Sequence, residues 1–306
     1  MRGIVLTGAT SMLGIALINE CIRSHTRVLA IVRENSPNLS RIPQSDLVEK
    51  MQCNLSSLDS LDLESNGYDA FFHFGWQGTD RTQRLDPEIQ LENVEYTLKA
   101  VDLAAKWGCR VFVGAGSQAE YGRVSAKIGP ETPVNPDIAY GIAKYAAYKM
   151  SAIAAEKQGL AHVWVRVLSV YGPYDGAHTM IMSAVTQLLA KQRPQLTKCE
   201  QLWDYLYVED AARAFYLMGE KAQGQAVYCL GSGVARPLSE YVTILRDTID
   251  PNLGLDFGAL AYQPNQVMFL CADLRNLTND TGFIPEINFE TGIEKTIKWV
   301  RENENR

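Results

Sequence analysis

Residues 3–8, GIVLTG, run straight into the small-residue turn and apolar stretch ATSMLGIALI, and this pairing is the feature that most narrows the fold. Comparable β-branched runs recur at RVLAIV, DAFFHF, RVFVGAGS and HVWVRVLSVYG. Longer segments with helical spacing separate most of them, notably from about Pro87 to Trp107 and from about Ile138 to Gln158, the latter after the breaker run PVNPD. Short buried runs alternating with helices specify βαβ units and a parallel sheet covered on both faces. A chain of 306 residues with 46% apolar side chains has enough material for such a core. The expected class is α/β, a Rossmann-type doubly wound parallel sheet over residues 1–172. Beyond about Gly172 the elements shorten and are broken by Gly and Pro, which implies a smaller C-terminal α/β lobe over 173–306. The segment YLYVEDAARAFYLM reads as a strand and helix, so the chain is expected to return to the first lobe at about 205–232.

Charge and cysteine usage exclude several classes. A net charge of −6 is unsuited to nucleic acid, whose phosphates need clustered Lys and Arg. The six cysteines are scattered with no CxxC pair, and the four histidines show no ligand spacing, so reduced thiols and no metal are expected. No apolar run approaches the length of a membrane span or a signal-peptide core, so a cytoplasmic protein with no membrane partner is expected.

The turn TGATSMLG follows a strand and opens a helix, the setting in which backbone N–H groups and a helix N-terminus approach a pyrophosphate. Gly8, Thr10, Ser11, Met12, Leu13 and Gly14 are the candidate cofactor contacts, with Ser11 in the place of the middle glycine and its hydroxyl available to a phosphate. By itself the turn also suits an ordinary strand-to-helix connection. After the second strand a carboxylate would hold the ribose hydroxyls of NAD. Here Val32 and then Arg33 follow, which favours the 2′-phosphate of NADP while leaving NAD possible.

Tyr140 and Lys144 are four apart on an expected helix and share a face. A phenol, with an ordinary pKa near ~10, becomes a proton carrier at neutral pH when an ammonium favours its phenolate. Tyr145 and Lys149 repeat the spacing, but only Tyr140 begins the helix at the carboxyl edge of the sheet, where Ser117 ends the strand VFVGAG.

With these motifs in order, the chain resembles the extended short-chain dehydrogenase/reductases, the NAD(P)-dependent epimerase/dehydratase family acting on nucleotide sugars. The likeness runs from TGATSMLG through HFGWQG, Asn93 in LENVEYTLKAV, SQAEYG, YGIAK, RVLSVYGP, WDYLYVEDAARA, YCLGSG and TGFIP to GIEKTIKWV. It implies that Ser117 binds the reacting oxygen, Tyr140 carries the proton, and Lys144 holds the nicotinamide ribose and tunes the tyrosine. It also places Asn54 and Leu55 beside the adenine, with Asn54 replacing the usual aspartate. Phe74, Gly75, Trp76, Asn93 and Leu168 match cofactor positions. Trp76, Gln77, Gln118, Ser169 and Trp203 match the substrate side, Trp203 standing where many relatives have an arginine and Ser169 where they have an asparagine. A homodimer paired through the two long helices is the family expectation.

The family performs dehydration, epimerisation and reduction. Dehydration needs a carboxylate where this chain has Gln118 and Ala119, neither of which exchanges a proton, and Glu120 is expected to face away. Between the others, Arg33 favours an exchangeable NADPH and hence reduction. WDYLY and RVLSVYGP resemble the reductases that finish 6-deoxy and 3,6-dideoxy sugars, CDP-abequose synthase-like enzymes among them. The expected activity is reduction of a nucleotide-linked 4-keto-6-deoxy sugar, with a 4-epimerase holding NAD as the alternative, and a dehydratase or a non-catalytic dinucleotide sensor as lesser ones.

Overall fold

The computed structural model describes residues 1–62, 67–264 and 266–303. Seven strands form one sheet in which every pairing is parallel: β1 (Gly3–Thr7), β2 (Arg27–Val32), β3 (Val48–Gln52), β4 (Ala70–His73), β5 (Val111–Ser117), β6 (Ala161–Val167) and β10 (Gln225–Leu230). Their spatial order is β10-β6-β5-β4-β1-β2-β3. The order reverses between β1 and β4, and in a doubly wound sheet the crevice beyond the carboxyl ends of those two strands is where ligands bind.

The period of two along each strand buries both faces. Ile4, Leu6, Val28, Ala30 and Phe72 point into a core shared with Phe215, while Val5, Leu29, Ile31 and Phe71 point into the opposite one with Val101, Ala104 and Trp107. Helices α1 (Met12–Arg23) and α5 (Val208–Lys221) pack together on the first face. On the other lie α2 (Pro87–Lys106) and α3 (Ala139–Lys157). The helix expected from about Ile138 to Gln158 is α3, with those two residues as its caps. All six cysteines are buried and unpaired, and burial raises the Cys229 thiol to about 11.

The remaining elements build a second core beside the carboxyl end of the sheet. Here α4 (Met180–Leu189), α6 (Leu238–Ile249) and α8 (Phe289–Asn303) enclose Ile181, Val185, Leu188, Val242, Leu245, Ile293 and Ile297. Two small pairings attach it: β7 (Ser169–Tyr171) lies parallel to β9 (Tyr205–Tyr207), and β8 (Leu202–Trp203) lies antiparallel to β11 (Arg236–Pro237). After β9 the chain re-enters the first lobe as α5 and β10, which makes the two lobes continuous. Two buried aspartates fix these crossings. Asp204 accepts from the backbone of Ser232, Gly233 and Ala272, and Asp210 from the backbone of Glu286 and Ile287, where α7 (Arg275–Thr281) gives way to the TGFIP turn. These contacts explain the carboxylates of WDYLYVED. Among the described residues no group of His, Cys, Asp and Glu could hold a metal, and no helix is long and apolar enough to cross a membrane.

Candidate active site

The carboxyl ends of β1 and β4 are tied by side chains. Thr7 Oγ1 accepts from Gly75 N at 3.2 Å and bonds His73 Nδ1 at 2.9 Å. Burial, with the Lys144 charge adding to it, holds the His73 imidazole down at about 3, so it is neutral near pH 7. Gly8 adopts a φ of +70°, and a Cβ there would stand 2.6 Å from the carbonyl carbon of Phe74, so the β1 turn lies directly on the loop after β4. A Cβ on Gly75 would meet the Leu55 side chain at 2.8 Å. The two sequence-derived cofactor segments, 8–14 and 74–76, are therefore adjacent, with Leu55 beside them.

Ser11 is the N-cap of α1: its Oγ donates to Gly8 O at 2.7 Å and accepts from Gly14 N at 3.1 Å. The expectation of a phosphate on that hydroxyl is thereby qualified, because the cap already employs it. Beside Thr10, the amides of Met12 and Leu13 have no acceptor among the described residues and open on the crevice end of the helix. Arg33 is exposed at the end of β2 without an ion-pair partner among the described residues, and Asn54 is exposed after β3. Free amides at a helix N-terminus, an unpaired guanidinium and a buried ammonium at Lys144 form a donor set that fits an anionic dinucleotide.

Phe74 turns its ring into the core against Phe215, 4.6 Å between centroids, leaving its backbone toward the crevice. Asn93 is buried, and its amide donates to Gln77 O and Ile89 O while accepting from Gln77 N, so it acts by pinning the loop after β4. Gln77 itself is exposed. Gln90, which the sequence reading passed over, completes this lock. Its Oε1 accepts from Trp76 Nε1 at 2.9 Å, and its Nε2 donates to Gly78 O and Gln83 O.

Tyr140 and Lys144, from the first turns of α3, come together over Trp76. The Lys144 ammonium lies 3.5 Å above the Trp76 ring centre and donates to Ala115 O at 2.6 Å, two residues before Ser117. Trp76 meets Tyr140 edge-on at 6.0 Å. Burial lowers the Lys144 ammonium to about 7, the Glu120 carboxylate opposing and the Arg84 charge adding to the effect. Tyr145, of the second spaced pair, packs instead against Tyr148, with the two rings tilted by 48°.

β5 ends at Ser117, and the chain turns at once into a 3-10 segment, Gln118–Glu120. Ser117 Oγ accepts from Ala119 N at 3.2 Å, which leaves its O–H to donate. The start of α3 closes on this turn so tightly that a Cβ on Gly141 would stand 2.3 Å from Ala119 O. Glu120 points inward and is fully buried. Its carboxylate accepts from Arg166 Nε at 2.7 Å and from Trp164 Nε1 and Ser117 N, each at 2.9 Å. The turn, not a continued strand, carries it away from the cleft. Gln118 is half-buried beside Ser117.

On the opposite wall, Leu168 packs with Tyr121 and Cys229, and Trp203 Nε1 donates to Ser169 Oγ at 2.7 Å. The two positions expected on the substrate side are thus one hydrogen-bonded unit. Trp203 and Gln201 line a cavity of about 380 Å³ in the second lobe.

This arrangement, a tyrosine and a buried lysine on α3, the lysine bonded two residues before the serine that ends β5, beside a glycine turn at the sheet's switch point, has a match in sequence. Residues 4–231 match the model of the NAD dependent epimerase/dehydratase family. The chain belongs to that family. Among its curated relatives is CDP-abequose synthase of Salmonella typhimurium, 26% identical over 305 residues, covering 96% of this chain and 97% of the relative. Among solved structures, UDP-N-acetylglucosamine 4-epimerase from Methanobrevibacter ruminantium M1, in complex with UDP-N-acetylmuramic acid, superposes with a TM-score of 0.88 at 19% identity, covering 98% of both chains. DesIV, a dTDP-glucose 4,6-dehydratase from Streptomyces venezuelae with NAD and TYD bound, gives 0.86 at 19% identity, covering 99% of this chain and 98% of that one. At these identities the superpositions establish the shared fold.

Proposed function

We propose that this member of the family is an NADP-dependent reductase of a nucleotide-diphosphate 4-keto-6-deoxy sugar, working in deoxysugar biosynthesis in the cytoplasm. The observation that carries the reading is the state of the carboxylate nearest Ser117. Glu120 is buried and ion-paired to Arg166, and Gln118 and Ala119 fill the neighbouring places, so residues 118–120 present no free carboxyl group to the cleft for removing water. The likeness to CDP-abequose synthase supports the same direction.

A bound nicotinamide would supply the hydride. The rest of the chemistry falls to the chain's own groups. The Tyr140 hydroxyl gives its proton to the keto oxygen as that oxygen becomes an alkoxide. Ser117 donates to the same oxygen, a preorganised donor of the kind that contributes about 3 kcal/mol. Lys144, fixed by Ala115 O and the Trp76 face, holds the cofactor ribose beside Tyr140. Thr10, the amides of Met12 and Leu13, and the Gly8 turn receive the pyrophosphate, with Asn54 and Leu55 beside the adenine. The exposed Arg33 guanidinium, without a carboxylate partner among the described residues, supports recognition of a 2′-phosphate and hence an exchangeable NADP.

Assembly as a homodimer is part of the same proposal. Leu91 of α2 and Ile142, Met150 and Ile153 of α3 are exposed on two helices that pack side by side, an apolar face suited to a second copy.

The function is tested by NADPH oxidation with a panel of nucleotide-linked 4-keto-6-deoxy sugars. Turnover by the native protein and its loss in Tyr140→Phe is the expected result. Equal cofactor affinity with no turnover in either would instead favour a dinucleotide sensor.

A further inference from the structure

Arg84, in the loop between β4 and α2, is a cation beside Tyr140 with no counter-ion among the described residues. Its guanidinium lies over the Tyr140 ring, 4.2 Å from the ring centre. Among the described residues it makes no ion pair, and its Nε is buried with no acceptor. Two carboxylates close to it in sequence are committed elsewhere: Asp80 accepts from Thr82 and Gln83, and Asp86 caps α2 through Glu88 N and Ile89 N. A partly buried charge left unpaired by its own protein is costly unless a ligand pairs with it.

The loop is also held in place. Gln90, itself buried, bonds Trp76, Gly78 and Gln83 at once, so the residue before Arg84 is tied to the indole under Lys144. A donor locked in position by surrounding hydrogen bonds is the arrangement a binding site requires.

The opposite side of the cleft lacks the charge that a nucleotide sugar needs. Trp203 stands where many relatives have an arginine, and its indole N–H is spent on Ser169. The 380 Å³ cavity beyond it is lined mostly by uncharged side chains, among them Gln187, Thr197, Gln201, Leu238 and Gln266, together with His178, and has no Lys, Arg, Asp or Glu among the described lining residues. The cavity suits an uncharged part of the ligand and leaves the anionic part to be met elsewhere.

We propose that Arg84 is a substrate-binding residue that pairs with an oxyanion of the nucleotide sugar, standing in from the loop after β4 for the arginine that many relatives carry at the Trp203 position. The chemistry is a charge-assisted, bidentate N–H to oxygen contact, which the diphosphate of the nucleotide sugar accepts. The proposal rests on the nucleotide-sugar reading above.

The test is equilibrium binding by calorimetry to native protein, Arg84→Gln and Arg84→Lys, using CDP, UDP, dTDP, UDP-glucose, UDP-glucuronate, NADP and NAD as probes. Unfolding midpoints of the three proteins would establish that each is folded. The expected result is a loss of about 10- to 100-fold in nucleotide affinity for Arg84→Gln, partly restored in Arg84→Lys, with cofactor affinity unchanged. An equal loss for the diphosphates and the sugars assigns the contact to the diphosphate. A loss confined to UDP-glucuronate would overturn the diphosphate contact, because the 6-deoxy sugar of the proposed substrate has no carboxylate. Unchanged nucleotide affinity, or a loss confined to NADP and NAD, would overturn the role of Arg84. Failure of the native protein to bind any nucleotide would overturn the nucleotide-sugar reading itself.

Discussion

Arg166 Nε donates to the Glu120 carboxylate at 2.7 Å inside the core, directly behind Ser117. The pair is extended by Arg166 to the Tyr121 hydroxyl, which in turn donates to Gly129 O. A buried pair of this kind is costly to break one partner at a time, because the survivor is left charged and dry. Glu120→Ala should therefore destabilise the protein by about 3–5 kcal/mol, read as a lower urea midpoint. A variant unfolding at the native midpoint would mean that the carboxylate carries no structural load and is available for chemistry.

Tyr140→Phe removes the proton carrier and leaves the ring that Arg84 and Trp76 contact. The turnover number should fall by roughly 10²- to 10⁴-fold, the usual contribution of a positioned acid or base. Cofactor affinity, measured by fluorescence titration, should be retained. A loss of cofactor binding equal to the loss of rate would place the hydroxyl in binding rather than in proton transfer.

Burial lowers Lys144 to about 7 in the folded protein, from an ordinary 10.5. Between those values the unfolded chain binds more protons at this site than the folded one, so its contribution to stability rises with pH from 7 toward 10.5 and is least favourable below 7. Lys144→Met should remove that slope. Urea unfolding of the cofactor-free proteins across this window should show the variant's advantage over the native protein shrinking as pH increases. A constant difference would show that the ammonium is not desolvated.

Arg33→Ala should weaken NADP binding by about 10- to 100-fold, the range for a lost hydrogen-bonded charge pair, and leave NAD binding unchanged. Direct titration of both cofactors checks this. Preference of the native protein for NAD would remove the reason for placing a 2′-phosphate at Arg33.

The parallel sheet was legible because short continuous apolar runs separated by long helical segments leave few topologies open, and Ser117, Tyr140 and Lys144 stood out as candidates because they fall at a strand end and on one helical face. The loop after β4 was not legible. GTDRTQRLD has no apolar period, and the position of Arg84 is set by Gln90, a residue whose three partners lie up to fourteen positions away in sequence. Ser11 and Asn93 show a related gap. Sequence places both beside the crevice, but only the hydrogen bonds reveal that one caps a helix and the other fastens a loop. Glu120 faces away from the cleft as expected, but through the 3-10 turn after Ser117 and not through a continued strand.

The most direct test of keto-sugar reduction is label transfer. NADPH carrying deuterium at its transferable C4 position would be incubated with a nucleotide-linked 4-keto-6-deoxy sugar and the product examined by NMR. The expected result is deuterium bonded to C4 of the sugar, with one NADPH consumed per alcohol formed and none in Tyr140→Phe. Interconversion of 4-epimers with no deuterium in the sugar and no net NADPH consumption would contradict it.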